Sequence, residues 1–208
     1  MDSISAWLRI LDSFQVPTDG SVVELAPSGD DTLSHALAQR NPRASLAKLS
    51  IPPSVGVRAA LAAQVRDQIA PLSTHLIAIR HAVDDIVDAT IARHEGLGLL
   101  LPAETRQAAV VRAVRAYWRS GDLERVVAPE LVGVVGELCP ALRPAGRLVF
   151  SHEVVDSDLR LGQPLDLYVE YIPLTRRWLA GADLPLQEIA LDGFDPHWWL
   201  FLKRAQEP

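Results

Sequence analysis

The stretch from Ser21 to Leu37 constrains this chain more than any other part of it. Val22, Val23 and Leu25 make a short apolar run of strand composition, Pro27-Ser28-Gly29 breaks it, and Asp30-Asp31-Thr32 can cap a helix whose Leu33, Ala36 and Leu37 share one face. Such a strand–turn–helix junction leaves backbone N–H groups free at the helix start, and small side chains let a ligand come close. It is either an ordinary strand-to-helix turn with a good cap or the seat of a nucleotide-like ligand. Glu24, near the strand end, can accept hydrogen bonds there. A dinucleotide fingerprint needs glycines at fixed offsets, and of these the turn supplies only Gly29.

The rest of the chain alternates in the same way. Ile4, Trp7, Leu8 and Leu11 recur at helical spacing, which predicts an amphipathic helix over 3–14, inside an N-terminal helical segment 1–16, with Trp7 and Leu8 buried. That helix either closes an edge of the core or covers a ligand as a lid. Asn41-Pro42 ends the helix after the organising turn, and 44–49 has strand composition, running out through Ser50-Ile51 to Pro52-Pro53. Val57, Leu61, Val65 and Ile69 predict a helix over 55–70. Leu76-Ile77-Ala78-Ile79 is a buried strand that exits at Arg80-His81. The helix after it buries Val83, Ile86, Val87 and Ile91, and Asp84, Asp85 and Asp88 lie on its other face, the first two as solvated acids that suit the helix dipole.

The segment 96–121 reads as an insertion with a helix through Val110, Val114 and Trp118, and Pro129 as the opening of another helix. Arg143-Pro144-Ala145-Gly146 reads as a tight turn into a strand over 147–150, with Ser151-His152-Glu153 at its end. A helix over 166–179 carries Tyr168, Tyr171 and Trp178. Two strands, 186–191 and 197–203, are joined by a turn-rich link and predicted to be antiparallel neighbours.

Composition narrows the function classes. A chain of 208 residues suits a single domain over 1–208, and 20 Lys+Arg against 26 Asp+Glu, net −6, with no basic stripe, disfavours nucleic acid as a partner. A small molecule or peptide is the expected partner, and a homodimer stays open. Cys139 is the only cysteine, no apolar run reaches the ~18 residues of a membrane span, and the early charges Asp2 and Arg9 do not make a signal peptide. These features lead us to expect a cytoplasmic protein without a membrane partner. No metal is expected, because His152-Glu153 lacks a second histidine at the zinc-protease spacing, and no G-x-S-x-G elbow is present.

The order of elements predicts an α/β fold with a mostly parallel sheet, one antiparallel member and helices on both faces. Val22-Val-Glu-Leu-Ala-Pro-Ser-Gly29 and Leu142-Arg-Pro-Ala-Gly-Arg-Leu-Val-Phe150 resemble, respectively, the acidic glycine-rich first motif and the L-x-P-G-G-x-L approach to the fifth strand of class I S-adenosylmethionine-dependent methyltransferases. The resemblance covers nearly the whole chain and implies a Rossmann-like fold with an antiparallel last strand. It also implies S-adenosylmethionine as cofactor, with Glu24, Ala26, Pro27, Ser28, Gly29 and Asp30 around its methionine part. Ser50 and Ile51 would lie near ribose and adenine, and Arg80 and His81 near the reacting methyl. Ala26 and Ser28 replace two glycines of the first motif, and the ribose-binding acid is missing. The span 25–76 is short for two complete helix-plus-strand units, as in a fold with a strand lost or reduced.

Methyl transfer needs alignment and, for a protonated nucleophile, a base. His81 and His152 sit at strand ends where open α/β sheets bind ligands, and each is either structural or the proton acceptor. Asp85 lies one turn from His81 and can fix its tautomer. Tyr168 and Tyr171 can wall a substrate pocket. Two function classes follow: a methyltransferase for a small molecule or peptide-derived product, acting at O or N, and a methyltransferase-like binding or scaffold protein that has lost catalysis.

Overall fold

The computed structural model describes residues 3–25, 31–51, 56–97, 102–152 and 165–205. In chain order its elements are α1 (Ser3–Ser13), β1 (Ser21–Leu25), α2 (Thr32–Arg40), β2 (Ser45–Leu49), α3 (Val57–Gln68), β3 (Thr74–Arg80), α4 (Ala82–His94), α5 (Ala103–Ser120) and α6 (Leu123–Leu138). A short 3-10 turn, Cys139–Ala141, then leads into β4 (Leu142–Ser151), α7 (Leu165–Tyr168), α8 (Tyr171–Ala180), β5 (Leu186–Ile189) and β6 (Trp199–Arg204). The strands make one sheet in the order β2-β1-β3-β4-β6-β5. β1 pairs in parallel with β2 and β3, and β3 with β4, whereas β6 runs antiparallel to both β4 and β5. This is the mostly parallel sheet with an antiparallel last strand that the sequence predicts.

The period-two alternation of each strand separates two cores. Val23, Leu25, Ile77, Ile79, Leu148, Phe150, Leu200 and Leu202 point to one face, where buried residues of α3, α4, α5, α6 and α8 cover them. Val22, Leu76, Ala78, Val149, Trp199 and Phe201 point to the other, beneath α1 and α2. Helices therefore occupy both faces. Only one helix-plus-strand unit links β1 to β2, and β2 is an edge strand.

Several local expectations change. In α1 the buried stripe is Ala6, Trp7, Ile10 and Leu11, while Ile4 and Leu8 are only half-buried, because Trp7 is drawn into the sheet against Trp199, their rings 5.7 Å apart. Pro129 does not open α6 but lies inside it. The helix starts at Leu123 because Leu123, Val127, Leu131 and Val134 continue one buried stripe, whose burial outweighs the single backbone hydrogen bond that the proline removes. Residues 143–146 are not a separate turn. They form a bulge within β4, which pairs Thr74 with Leu142 but Leu76 with Arg147. Gly146 is needed there, since a Cβ would stand 2.9 Å from the Arg143 carbonyl oxygen. The expected helix over 166–179 is two, α7 and α8, breaking at 169–170. Asp31 is the residue at the N-cap of α2 but does not cap it through its side chain; its carboxylate pairs instead with Lys48 at 2.8 Å.

The segment 96–121 contributes α5, whose Val110, Val111 and Val114 are buried. Trp118, half-buried, donates its indole N–H to Asp166 Oδ2 at 2.8 Å. No helix among the described residues is long and apolar enough to cross a membrane.

Candidate functional site

The chain passes from β1 outward to β2 and then returns to β3 on the other side of β1. Neighbouring parallel strands whose connections leave in opposite directions open a crevice at their carboxyl ends, where α/β sheets bind ligands. Glu24 and Arg80 stand at that crevice. Glu24 faces the α1/α2 side, fully buried, and Arg80 Nη1 donates to its Oε1 at 3.1 Å. Lys48, in register with Glu24 on β2, brings its ammonium to 3.9 Å from Oε2 and bridges to Asp31. Arg80 also lies over the Trp7 ring, 5.6 Å from its centroid. A buried carboxylate is stable only when paired, and here the partners come from two neighbouring strands.

The opposite face of the same edge carries the other candidates. His81 follows β3 as the N-cap of α4 in the left-handed conformation, φ 47°, ψ 16°, and its backbone N–H donates to the Ser151 carbonyl at 2.9 Å. That conformation is strained for a side chain with a Cβ and typical of functional turns. His152, at the exit of β4, is wholly buried. Its ring centroid lies 5.5 Å from that of His81, 4.1 Å from Tyr168 and 4.9 Å from Tyr171. Tyr168 and Tyr171 are themselves 6.0 Å apart and buried, which brings α7 and α8 onto His152.

The electrostatics of this cluster follow from its dryness. Burial, reinforced by His81, pushes the His152 imidazole down to about 3, so it is neutral at physiological pH. Burial lifts Asp85 to about 6, and it lifts Asp84 well above the ordinary carboxylate range, with Asp85 and Asp88 adding repulsion. Tyr171 is held well above its usual range by burial and then by the charges of Asp84, Asp88, Tyr168 and Asp85. The expectation that Asp84 and Asp85 are solvated is corrected. Both are half-buried, and Asp84 Oδ1 is shut off from solvent with no hydrogen-bond partner among the described residues.

The sequence-predicted residues thus divide. Glu24 and Arg80 meet each other, the rings of His81, His152, Tyr168 and Tyr171 form one cluster, and Asp85 lies in the first turn of the helix that follows His81. Ser50 is exposed and tied to α3, its N–H donating to Gln64 Oε1 at 3.0 Å and its carbonyl accepting from Gln64 Nε2 at 2.8 Å; Ile51 is half-buried against the core. Ala26, Pro27, Ser28, Gly29 and Asp30, and also Glu153, lie outside the described residues. Sequence reasoning missed Lys48 and Asp84. The signal for Lys48 was a lone cation ending a strand whose parallel neighbour ends in an acid; for Asp84 it was an acid at the start of an otherwise buried helix. No group of three or more His, Cys, Asp or Glu side chains that could hold a metal occurs among the described residues.

Fold and site together define an open α/β domain whose strand order reverses between β1 and β3, with Glu24 and Arg80 at the carboxyl end of its sheet. No family model matches the chain, and no curated protein does. It is similar in structure to a release-factor-specific protein-(glutamine-N5) methyltransferase from Alicyclobacillus acidocaldarius, with 12% identity, TM-score 0.40, and coverage of 99% of this chain and 94% of that one. It is also similar to the pyocyanin biosynthetic protein PhzM, at 13% identity and TM-score 0.46, covering 96% of this chain and 54% of that one. Mitomycin 7-O-methyltransferase MmcR gives 12% identity and TM-score 0.39, with 98% and 54% covered. The chain therefore spans about half the length of the last two.

Proposed function

We propose that this protein is an S-adenosylmethionine-dependent methyltransferase acting on a small molecule or peptide, at oxygen or nitrogen. The observation that carries the reading is the Glu24–Arg80 ion pair, flanked by Lys48, in the crevice between β1 and β3. The methionine end of the cofactor is an α-amino carboxylate with both charges, and it fits this set: Glu24 suits the ammonium, Arg80 and Lys48 the carboxylate. Ser50 and Ile51 border the nucleoside end, and the sequence resemblance assigns Ala26 to Asp30 to the methionine part. Bound there, the cofactor supplies an electrophilic methyl group.

The chain's own tasks are then alignment and proton management. His152, lowered to about 3, is a weak base and serves as a neutral hydrogen-bonding wall. Asp85, at about 6, titrates near neutrality and is the better proton acceptor, with His81 presented beside it by the strained helix start. Tyr168 and Tyr171 bound the acceptor side.

A second reading, a methyltransferase-like binding or scaffold protein, draws on the same ion pair. Glu24 already has Arg80 as its counter-ion and needs none from a ligand. Calorimetric titration with S-adenosylhomocysteine separates the two. The enzyme reading expects saturable binding, lost in Gly29→Val, which puts a branched side chain into the turn that the sequence predicts, and weakened at least about tenfold in Glu24→Gln. Circular dichroism would establish that both variants remain folded. No heat and no thermal shift of the wild type at millimolar ligand assigns the protein to the scaffold class.

A further inference from the structure

The amino end of β4, away from the crevice, carries a cleft with one sign of charge. Its volume is about 410 Å³, and Ala145, Arg147, Gln187, Lys203, Arg204 and Ala205 line it, with no acid among them. Arg147 is level with Leu76 of β3, four residues before the level at which Ser151 meets Arg80, so it stands ~13 Å from the crevice along the strands. Register brings the wall together. Arg147 on β4 lies directly opposite Lys203 on β6, and Gln187 on β5 lies opposite Lys203 on its other side. Alternation puts all three on the α1/α2 face, in line with Val149, Phe201 and Ile189. Glu188, the one acid of β5, belongs to the other face and pairs with Arg176 at 2.8 Å.

Two features of this wall cost the fold stability. Like charges directly opposite each other on neighbouring strands repel, and neither Arg147 nor Lys203 meets an acid among the described residues. Ala145, in the bulge that leads into Arg147, holds φ 63°, a conformation strained for a side chain and frequent where a bulge aims a neighbour into a site. Arg147 is fixed in place: its guanidinium lies 5.5 Å from the centroid of the Phe14 ring, and its Nη1 donates to the Ala145 and Gly146 carbonyls. Its Nε is shut off from solvent with no acceptor among the described residues. Arg204 is anchored too, donating to the Cys139 carbonyl at 3.3 Å and to the Leu142 carbonyl. An anion beside the Arg147–Lys203 pair turns their repulsion into attraction, with a planar fork on one side, a point charge on the other and the Gln187 amide as a neutral donor.

We propose that this cleft binds a phosphate dianion, free or as the monoester of a small molecule, between Arg147 and Lys203 with Gln187 beside them. The site is independent of the methyltransferase reading, because no residue of the crevice takes part in it. Three cations around one cleft suit a dianion better than a carboxylate. The net charge of −6 on the whole chain confines the attraction to the cleft and disfavours an extended polyanion.

The test titrates inorganic phosphate, phenyl phosphate and benzoate calorimetrically into the whole chain, in phosphate-free buffer at mildly alkaline pH, where both phosphates are dianions. Saturable phosphate binding at least about tenfold tighter than benzoate is expected, weakening as salt is added. Phenyl phosphate binding the tighter identifies a monoester as the occupant, and inorganic phosphate binding the tighter identifies the free ion. Lys203→Gln should weaken phosphate binding about tenfold and, without ligand, raise the urea midpoint by removing the repulsion. Arg147→Gln should weaken binding at least as much; if losing its packing on Phe14 unfolds the chain, Lys203→Gln alone decides. No phosphate binding, equal affinity for phosphate and benzoate, or binding unchanged in Lys203→Gln overturns the proposal. So does binding lost in Lys48→Gln, which places the anion in the crevice, or binding seen only in Glu207→Gln, which makes an acid of the chain itself the counter-ion. Failure of S-adenosylhomocysteine to bind removes the enzyme reading and leaves this site standing.

Discussion

Asp85 and His152 pull the pH dependence of stability in opposite directions. Burial raises Asp85 to about 6, so between roughly pH 4 and pH 6 the folded chain holds a proton that the unfolded chain has released, and stability falls as pH rises. Burial lowers His152 to about 3, so between roughly pH 3 and pH 6.5 the unfolded chain holds the proton and stability rises with pH. The contributions are on the order of 3 kcal/mol for Asp85 and 5 kcal/mol for His152, and their slopes oppose each other where the windows overlap. Urea denaturation between mildly acidic and neutral pH should therefore show a shallow profile for the wild type. Asp85→Asn should steepen the loss in acid, and His152→Phe should make the protein more stable in acid than at neutrality. A wild-type profile unchanged by either substitution would mean that these groups are not dry.

The elements were legible where one short-range pattern decided them and illegible where two patterns competed. β1 and α2 followed from an apolar run, a break and an i, i+3, i+4 set, and they stand where those residues put them. α6 shows the competition: a proline ordinarily marks a first turn, but Val127 and Leu131 on either side of Pro129 lie on one buried stripe. Pro129 is exposed and leaves the Arg125 carbonyl without its intrahelical donor. Pro129→Ala should therefore raise stability by about 1–3 kcal/mol, read as a higher denaturation midpoint at unchanged slope. An unchanged or lower midpoint would show that the helix depends on the bend.

At the scale of the whole molecule, α1 ties the α2 face of the sheet to the crevice. Trp7 is fully buried, packs edge-on to Trp199 of the antiparallel strand and carries the Arg80 guanidinium on its face. Trp7→Ala should cost about 3–5 kcal/mol through the cavity it leaves. It should also loosen Arg80, so that calorimetry on the still-folded fraction shows weaker S-adenosylhomocysteine binding. Destabilisation with unchanged binding would separate α1 from the site and leave it a cover for the core.

The sequence by itself determined the α/β alternation, the antiparallel last strand and the arrival of His81 and His152 at strand ends. All of these depend on periodicity within a few residues of the chain. Only the tertiary structure decided what those residues meet. Glu24 and Arg80 are 56 residues apart and become an ion pair because β3 lies beside β1. Lys48 joins them because β2 lies on the other side of β1. Asp84 and Asp85 look solvated on a helix drawn alone, and they lose water in the folded chain, where α8 packs against α4. Charge and burial depend on neighbours across the sheet, and those neighbours are fixed by strand order, which no local pattern encodes.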